Sequence, residues 1–415
     1  MPSWMVKCGW NCFPDLMSRI RRYRALTFLL RSLRWSARRI EAHIGRHGPV
    51  VTVHPHGRPR GSVVLAYHTD PWVYSSTREL HYHTNRWECG LFGDTFVEAG
   101  YRLEVVEFDN PHYRPPADCA YIIDLERNLE RFAKSVTKEC VKIQHASITH
   151  WLHNNRAELR RLDGILQRRG AVLIPRRQIP FNLTTETADR IIYVGNAYTA
   201  ETFAFARKPM QRIPISTVVL ADWPEQKDFD RVRHNFIWFG SVGLAHKGLD
   251  LALEAFARLP GFNLTVAGAI DLDADFKQVY HRELYELPNI RTLGWVTATE
   301  PEFLTLLRDQ VGVVYPSCSE GGAGSVICCL HGGLIPIVTR EASVDVQDFG
   351  FETRSDAIED IMTAVRRVAE LPAAELAARA RAAWEHVRAV HTREHFRRVW
   401  RQYARDQLHL ALGDD

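Results

Sequence analysis

The sequence predicts an α/β protein of two doubly wound domains, and three observations carry that prediction. Short β-branched runs such as Val63-Val-Leu-Ala-Tyr67, Asn235-Phe-Ile-Trp-Phe239 and Val311-Gly-Val-Val-Tyr315 suit strands buried on both faces of a parallel sheet. Stretches with helical spacing alternate with these runs. The chain has 415 residues, 46% of them hydrophobic, and single cores stop growing at roughly 250–300 residues. Two cores are therefore expected. The polar, proline-containing segment Ala221-Asp-Trp-Pro-Glu-Gln-Lys-Asp228 reads as the hinge between them. The expected division is 1–48, 49–221, 222–392 and a closing helix over 393–415.

Charge and cysteine usage narrow the function. A net charge of +4 gives no global argument for nucleic acid. Eight scattered cysteines, with no CxxC pair, read as free thiols of a reducing compartment. No run approaches the roughly eighteen apolar residues of a membrane span, and no signal-peptide core opens the chain. A cytoplasmic protein is expected. The arginines are concentrated near the start. Between Leu16 and Ile44 apolar residues recur in steps of three and four, while Arg19, Arg21, Arg22, Arg24, Arg31, Arg34, Arg38 and Arg39 fill the other faces. This basic amphipathic helix either packs on the globular body or lies peripherally on the inner face of the cytoplasmic membrane through residues 15–44.

The elements run in order along the chain. Val63–Tyr67 is a first strand, a polar loop runs to Thr84-Asn85, and a helix near Arg86–Ala99 is stopped by Gly100. Strands are read at Tyr101–Phe108 and Cys140–Gln144, a helix at Trp151–Arg169, and further strands at Ala171–Ile174 and Arg190–Val194. Past the hinge, Asn235–Phe239 leads through Gly240-Ser-Val-Gly-Leu-Ala-His-Lys247-Gly into a helix reaching Arg258. Strands at Leu264–Gly268 and Ile290–Leu293 come next. Asp271-Leu-Asp-Ala-Asp275 precedes an amphipathic segment, Phe276–Leu287, and reads as helix capping rather than a metal site. Three helical stretches after Ser355 finish the chain.

The most informative stretch is Val313–Val338, VVYPSCSEGGAGSVICCLHGGLIPIV. A buried strand ends in a turn carrying Glu320, Gly321, Gly322 and Gly324. A helix over Ala323–His331 and a strand over Leu334–Val338 close a βαβ unit. A glycine-lined helix N-terminus presents N–H groups to an anion, and ligands of open α/β sheets sit beyond the strands' carboxyl ends. The turn therefore offers a phosphate cradle, together with a carboxylate acceptor for sugar hydroxyls.

Pro316, Ser317, Glu320, Gly321, Gly324, Gly333 and Pro336 resemble the donor-site signature of retaining, family-4-like glycosyltransferases. The resemblance implies the GT-B fold, two Rossmann-like domains facing each other across a cleft. It also implies transfer of a sugar from a UDP- or GDP-linked donor to a glycan or lipid-linked acceptor, with no metal or other cofactor. Glu320 would contact the donor sugar, and Lys247 of the second signature would bind the diphosphate. Gly240, Ser241, Gly243, Gly322, Ala323 and Ser325 would line the donor site, with Val296 at the nucleobase. Two departures stand out: Cys328 replaces a ribose-binding glutamate, and Ser241 an arginine. On the acceptor side the resemblance points to His83, Thr84, Asn85, Glu88 and His150, and at the transfer centre to His145. For each of these a structural reading stays open, such as helix capping at His83. A sugar-nucleotide epimerase of the same fold and a non-catalytic sugar-binding descendant are the alternatives.

Overall fold

The computed structural model describes residues 50–73, 83–353 and 357–413; the Leu16–Ile44 helix lies outside them. Two sheets organise the chain. The first holds seven strands in the order β1-β3-β2-β4-β5-β6-β7, namely Val51–Val53, Ser62–Tyr67, Arg102–Glu107, Cys119–Asp124, Val141–Ala146, Arg190–Tyr193 and Met210–Arg212 for β1 to β7. Only β1, on the edge, runs antiparallel. The second is entirely parallel, in the order β10-β9-β8-β11-β12-β13, with β8 to β13 at Asn235–Gly240, Asn263–Gly268, Ile290–Gly294, Gly312–Tyr315, Ile335–Thr339 and Phe351–Thr353.

Each sheet is doubly wound. The chain leaves β2 toward β3 on one side and returns to β4 on the other; it leaves β8 toward β9 and β10 and returns to β11. Crevices therefore open at the carboxyl ends of β2 and β4 and of β8 and β11. The central strands read as unbroken apolar runs because helices cover both faces: every residue of β2, β11 and β12 is buried.

Several elements differ from expectation. Residues 171–174 form no strand; Val172 is 80% and Ile174 60% exposed, and β6 takes the place beside β5. The central strand β4 has no counterpart among the expected strands, because CAYIID sits just past the Pro115-Pro116 pair, which signals a loop. The Thr84–Glu98 helix starts two residues before the expected Arg86, with His83 as its N-cap. Asp273 makes no capping hydrogen bond. Instead Asp273 and Asp275 hold Arg176 at 3.2 and 2.7 Å, and Asp275 accepts the Ile174 N–H at 2.8 Å.

The two sheets are bound closely. Arg161, on the Trp151–Arg169 helix beside the first sheet, is buried and donates to Asp250 (3.1 Å) and to the carbonyls of Ala245 (3.1 Å) and Pro316 (2.9 Å). Arg168 adds 2.7 Å to Asp250, and Arg169 reaches Glu254 and Glu283. The Arg393–Leu408 helix returns to the first sheet's layer. There Trp400 is fully buried against Phe92 and Phe96 and donates its indole N–H to Thr95 at 2.9 Å. Among the described residues no helix is long and apolar enough to cross a membrane.

Candidate functional site

The loops after β8 and β11 build the second sheet's crevice. Lys247 closes the loop after β8 because Gly248, at φ +75, turns the chain into the Leu249–Ala257 helix. Glu320 lies in the turn after β11. Lys247 donates to Glu320 at 2.6 Å and to the Tyr315 hydroxyl at 3.0 Å, and Tyr315 donates to the same carboxylate oxygen at 3.0 Å. Both charged groups are buried. Burial by itself would push the Glu320 carboxyl up, but the Lys247 ammonium and Arg177 outweigh it and bring it to about 2. Burial lowers the Lys247 ammonium, and Glu320 opposes that drop.

Arg177 is the residue the sequence did not single out. It reaches from the irregular segment after the Trp151–Arg169 helix to Gly243, where a Cβ would lie 2.7 Å from its Cγ. Gly243 also has φ +88, so the position requires glycine twice over. Glu158 fixes the arginine's backbone by accepting its N–H at 2.9 Å. Its guanidinium has no ion-pair partner among the described residues, and its Nε is buried without an acceptor. Its charge is felt at Lys247, Glu320, His83 and Tyr315. Two cations therefore face one carboxylate, and that imbalance favours an anionic ligand.

The glycine-rich turn meets the first sheet directly. A Cβ on Gly321 would lie 2.2 Å from the Ser147 carbonyl oxygen, so glycine here permits backbone contact between the two halves. Thr149 and Ser319 share a 2.5 Å hydrogen bond, and Ser343 accepts the Asn196 N–H at 3.0 Å. The Ala323 N–H is taken by Ala342, while Gly324 and Ser325 open the Gly324–His331 helix, where N–H groups lack helical acceptors. Gly322 has φ +119. Gly240 packs on the Trp238 indole, Ser241 is exposed, and Val296 is half-buried against the core. Cys328 is buried with its thiol 3.7 Å from the Thr217 hydroxyl, and burial raises it to about 11.

The remaining sequence candidates are dispersed. The His83 ring accepts the Asn85 N–H at 3.3 Å; desolvation, reinforced by the charges of Arg86, His68, Arg177 and Lys247, brings it down to about 4. Thr84 and Asn85 form the first turn behind it. Glu88 is committed elsewhere: its buried carboxylate accepts both the N–H and the hydroxyl of Ser216 at 3.0 Å. His145 is 1% exposed, packed edge-on against Tyr67 and Phe92, and burial lowers it to about 3, so its ring is neutral and makes no hydrogen bond to Lys247 or Glu320. His150 precedes the Trp151–Arg169 helix, its ring against Phe203 and Phe205.

Glu126, just past β4 in the first sheet's crevice, is a second unforeseen group. Burial pushes its carboxyl up to about 8 even though Arg127 and Arg177 oppose the shift. The folded protein thus keeps a proton that the unfolded chain releases near the usual 4.5, so stability should fall as pH rises across that window and level off above it. Glu126→Gln is neutral at every pH. Its melting temperature should gain on wild type between about pH 5 and pH 8; a constant difference would contradict the assignment.

Neither protein-family models nor curated proteins match the sequence. Solved structures do. Sucrose-phosphate synthase from Thermosynechococcus elongatus is similar over 86% of this chain and 100% of its own, with 13% identity and a TM-score of 0.58. HepE from Anabaena, in complex with UDP and glucose, is similar over 83% of this chain and 99% of its own, with 12% identity and a TM-score of 0.52. TarM from S. aureus matches at 12% identity over 68% of this chain, with a TM-score of 0.49, and the match spans 54% of TarM's own length. With two doubly wound sheets facing each other and these neighbours sharing the arrangement, the chain has the GT-B fold of glycosyltransferases.

Proposed function

We propose that this protein is a glycosyltransferase that moves a sugar from a UDP- or GDP-linked donor to a glycan or lipid-linked acceptor, with retention and without a metal at the transfer site. The observation that carries the reading is the buried Lys247–Glu320 pair at the switch point of the second sheet, within the electrostatic reach of Arg177, whose Nε is buried without an acceptor among the described residues. The complex of HepE with UDP and glucose is consistent with such a donor.

The pair works as a charge exchange. A diphosphate entering between Lys247 and Arg177 takes the ammonium's hydrogen bonds and releases Glu320, whose carboxylate then accepts hydroxyls of the donor sugar. Tyr315 holds that carboxylate in place. As the sugar–phosphate bond breaks, negative charge builds on the leaving diphosphate, where the two cations and the N–H groups of Gly324 and Ser325 stabilise it without reorganising. Arg177 thereby supplies, from the opposite half of the molecule, the cation that Ser241 does not. Neutral His145 and the Ser147–Thr149 backbone form the wall behind the reacting carbon, and His83 and Asn85 stand at the acceptor's entrance. Residues 15–44 would bring the enzyme to an anionic membrane surface carrying a lipid-linked acceptor.

Arg177→Gln tests the assignment. It should weaken donor binding roughly ten- to a hundredfold, the worth of a charge-assisted hydrogen bond, with the melting temperature little changed. Unchanged nucleotide affinity would overturn the role given to Arg177.

A further inference from the structure

A second cluster of ligating groups lies away from the Lys247–Glu320 site. One ligand atom from each of Asp345, His386 and His391 lies within 4.8 Å of the other two. Asp345 belongs to the loop after β12, His386 to the Ala373–Val390 helix, and His391 to the corner just beyond it. His391 is 3% exposed. Its Nδ1 lies 2.9 Å from the Ile215 carbonyl oxygen. A carbonyl only accepts, so Nδ1 carries the proton and Nε2 presents a bare lone pair. Among the described residues that Nε2 is buried without a partner, and so is Nε2 of His386. Two buried imidazole nitrogens left without partners are costly unless something fills the gap.

We propose that Asp345, His386 and His391 form a site for a divalent transition metal of the zinc class, bound through the two Nε2 atoms and one Asp345 oxygen. Two imidazoles and a carboxylate are a donor set that zinc takes with water as fourth ligand. Bonds near 2.1 Å in a tetrahedron place ligand atoms about 3.4 Å apart, so the loop and helix need close by only about an ångström. The hydrogen bond from His391 Nδ1–H to a backbone carbonyl is the support that orients metal-bound histidines. His386 Nδ1 is 3.3 Å from the Gln347 amide, which serves equally when its oxygen faces the ring.

One charge opposes the metal. Arg212, on β7 of the first sheet, holds an Asp345 oxygen at 2.6 Å. Either the carboxylate bridges metal and guanidinium, or Arg212 gives way. The site thereby couples metal occupancy to a contact between the two halves, independently of the function proposed above.

The test is a calorimetric titration of chelator-treated full-length protein with Zn²⁺, repeated with Co²⁺ to read tetrahedral absorption bands. One equivalent should bind. His391→Gln should weaken it at least about tenfold, whereas Arg212→Gln, which frees Asp345, should tighten it several-fold. Should His391→Gln fail to fold, His386→Gln gives the same reading. The proposal is overturned by the absence of a stoichiometric site, or by undiminished affinity in the folded histidine variant.

Discussion

Glu320→Gln is expected to cut sugar transfer at least about tenfold while nucleoside diphosphate affinity stays unchanged or rises. The two effects separate because Glu320 has two partners in turn. In the free protein it neutralises Lys247 at 2.6 Å. Removing its charge leaves Lys247 and Arg177 without a counter-ion, so a diphosphate is held at least as firmly. During transfer the carboxylate would grip the sugar, and losing one charge-assisted hydrogen bond costs about 1.5–3 kcal/mol. Steady-state kinetics with a nucleotide titration gives both numbers. A variant that loses nucleotide affinity but keeps its turnover would contradict the charge exchange.

The largest stability effect should come from Arg161→Ala. Arg161 has a side chain 1% exposed and faces Asp250, whose side chain is fully buried. Removing it takes away the Pro316 carbonyl's hydrogen bond, leaves the Ala245 carbonyl with the Gly248 N–H at 3.0 Å, and leaves Arg168 as the ion-pair partner of Asp250 among the described residues. Breaking a buried pair from one side typically costs about 3–5 kcal/mol; the remaining Arg168 contact places this case near about 3 kcal/mol. Urea unfolding should show the loss, and Asp250→Asn in the same chain should recover part of it by removing the uncompensated charge. A loss under about 1 kcal/mol, the scale of an exposed pair, would mean that this clasp does not hold the halves together.

The second sheet and its glycine turn were legible because local chemistry dictated them. The strand at Val313–Tyr315 is apolar throughout, Gly248 and Gly322 take positive φ, and Lys247 and Glu320, from two separate stretches of sequence, pair at 2.6 Å. Arg177 and Glu126 were not legible for a different reason. Each owes its place to tertiary structure: Arg177 to an irregular segment pinned by Glu158 and Asp275, Glu126 to the end of a strand masked by the proline pair before it. The spacing of Asp273 and Asp275 pointed to a helix cap, yet the nearest cation, Arg176, lies about a hundred residues earlier in the chain, and sequence distance concealed the pairing. At Gly321 the glycine was visible, but the Ser147 carbonyl that requires it was not.

The central claim is tested most directly by incubating the full-length protein with a panel of labelled nucleotide sugars and a glycan acceptor, tracking released nucleoside diphosphate and the fate of the label together. The account predicts that UDP or GDP is released in step with label reaching the acceptor, that the anomeric configuration of the donor is kept, and that Lys247→Met abolishes both. An isomerised nucleotide sugar with no label on the acceptor, or donor binding without turnover across the panel, would contradict it.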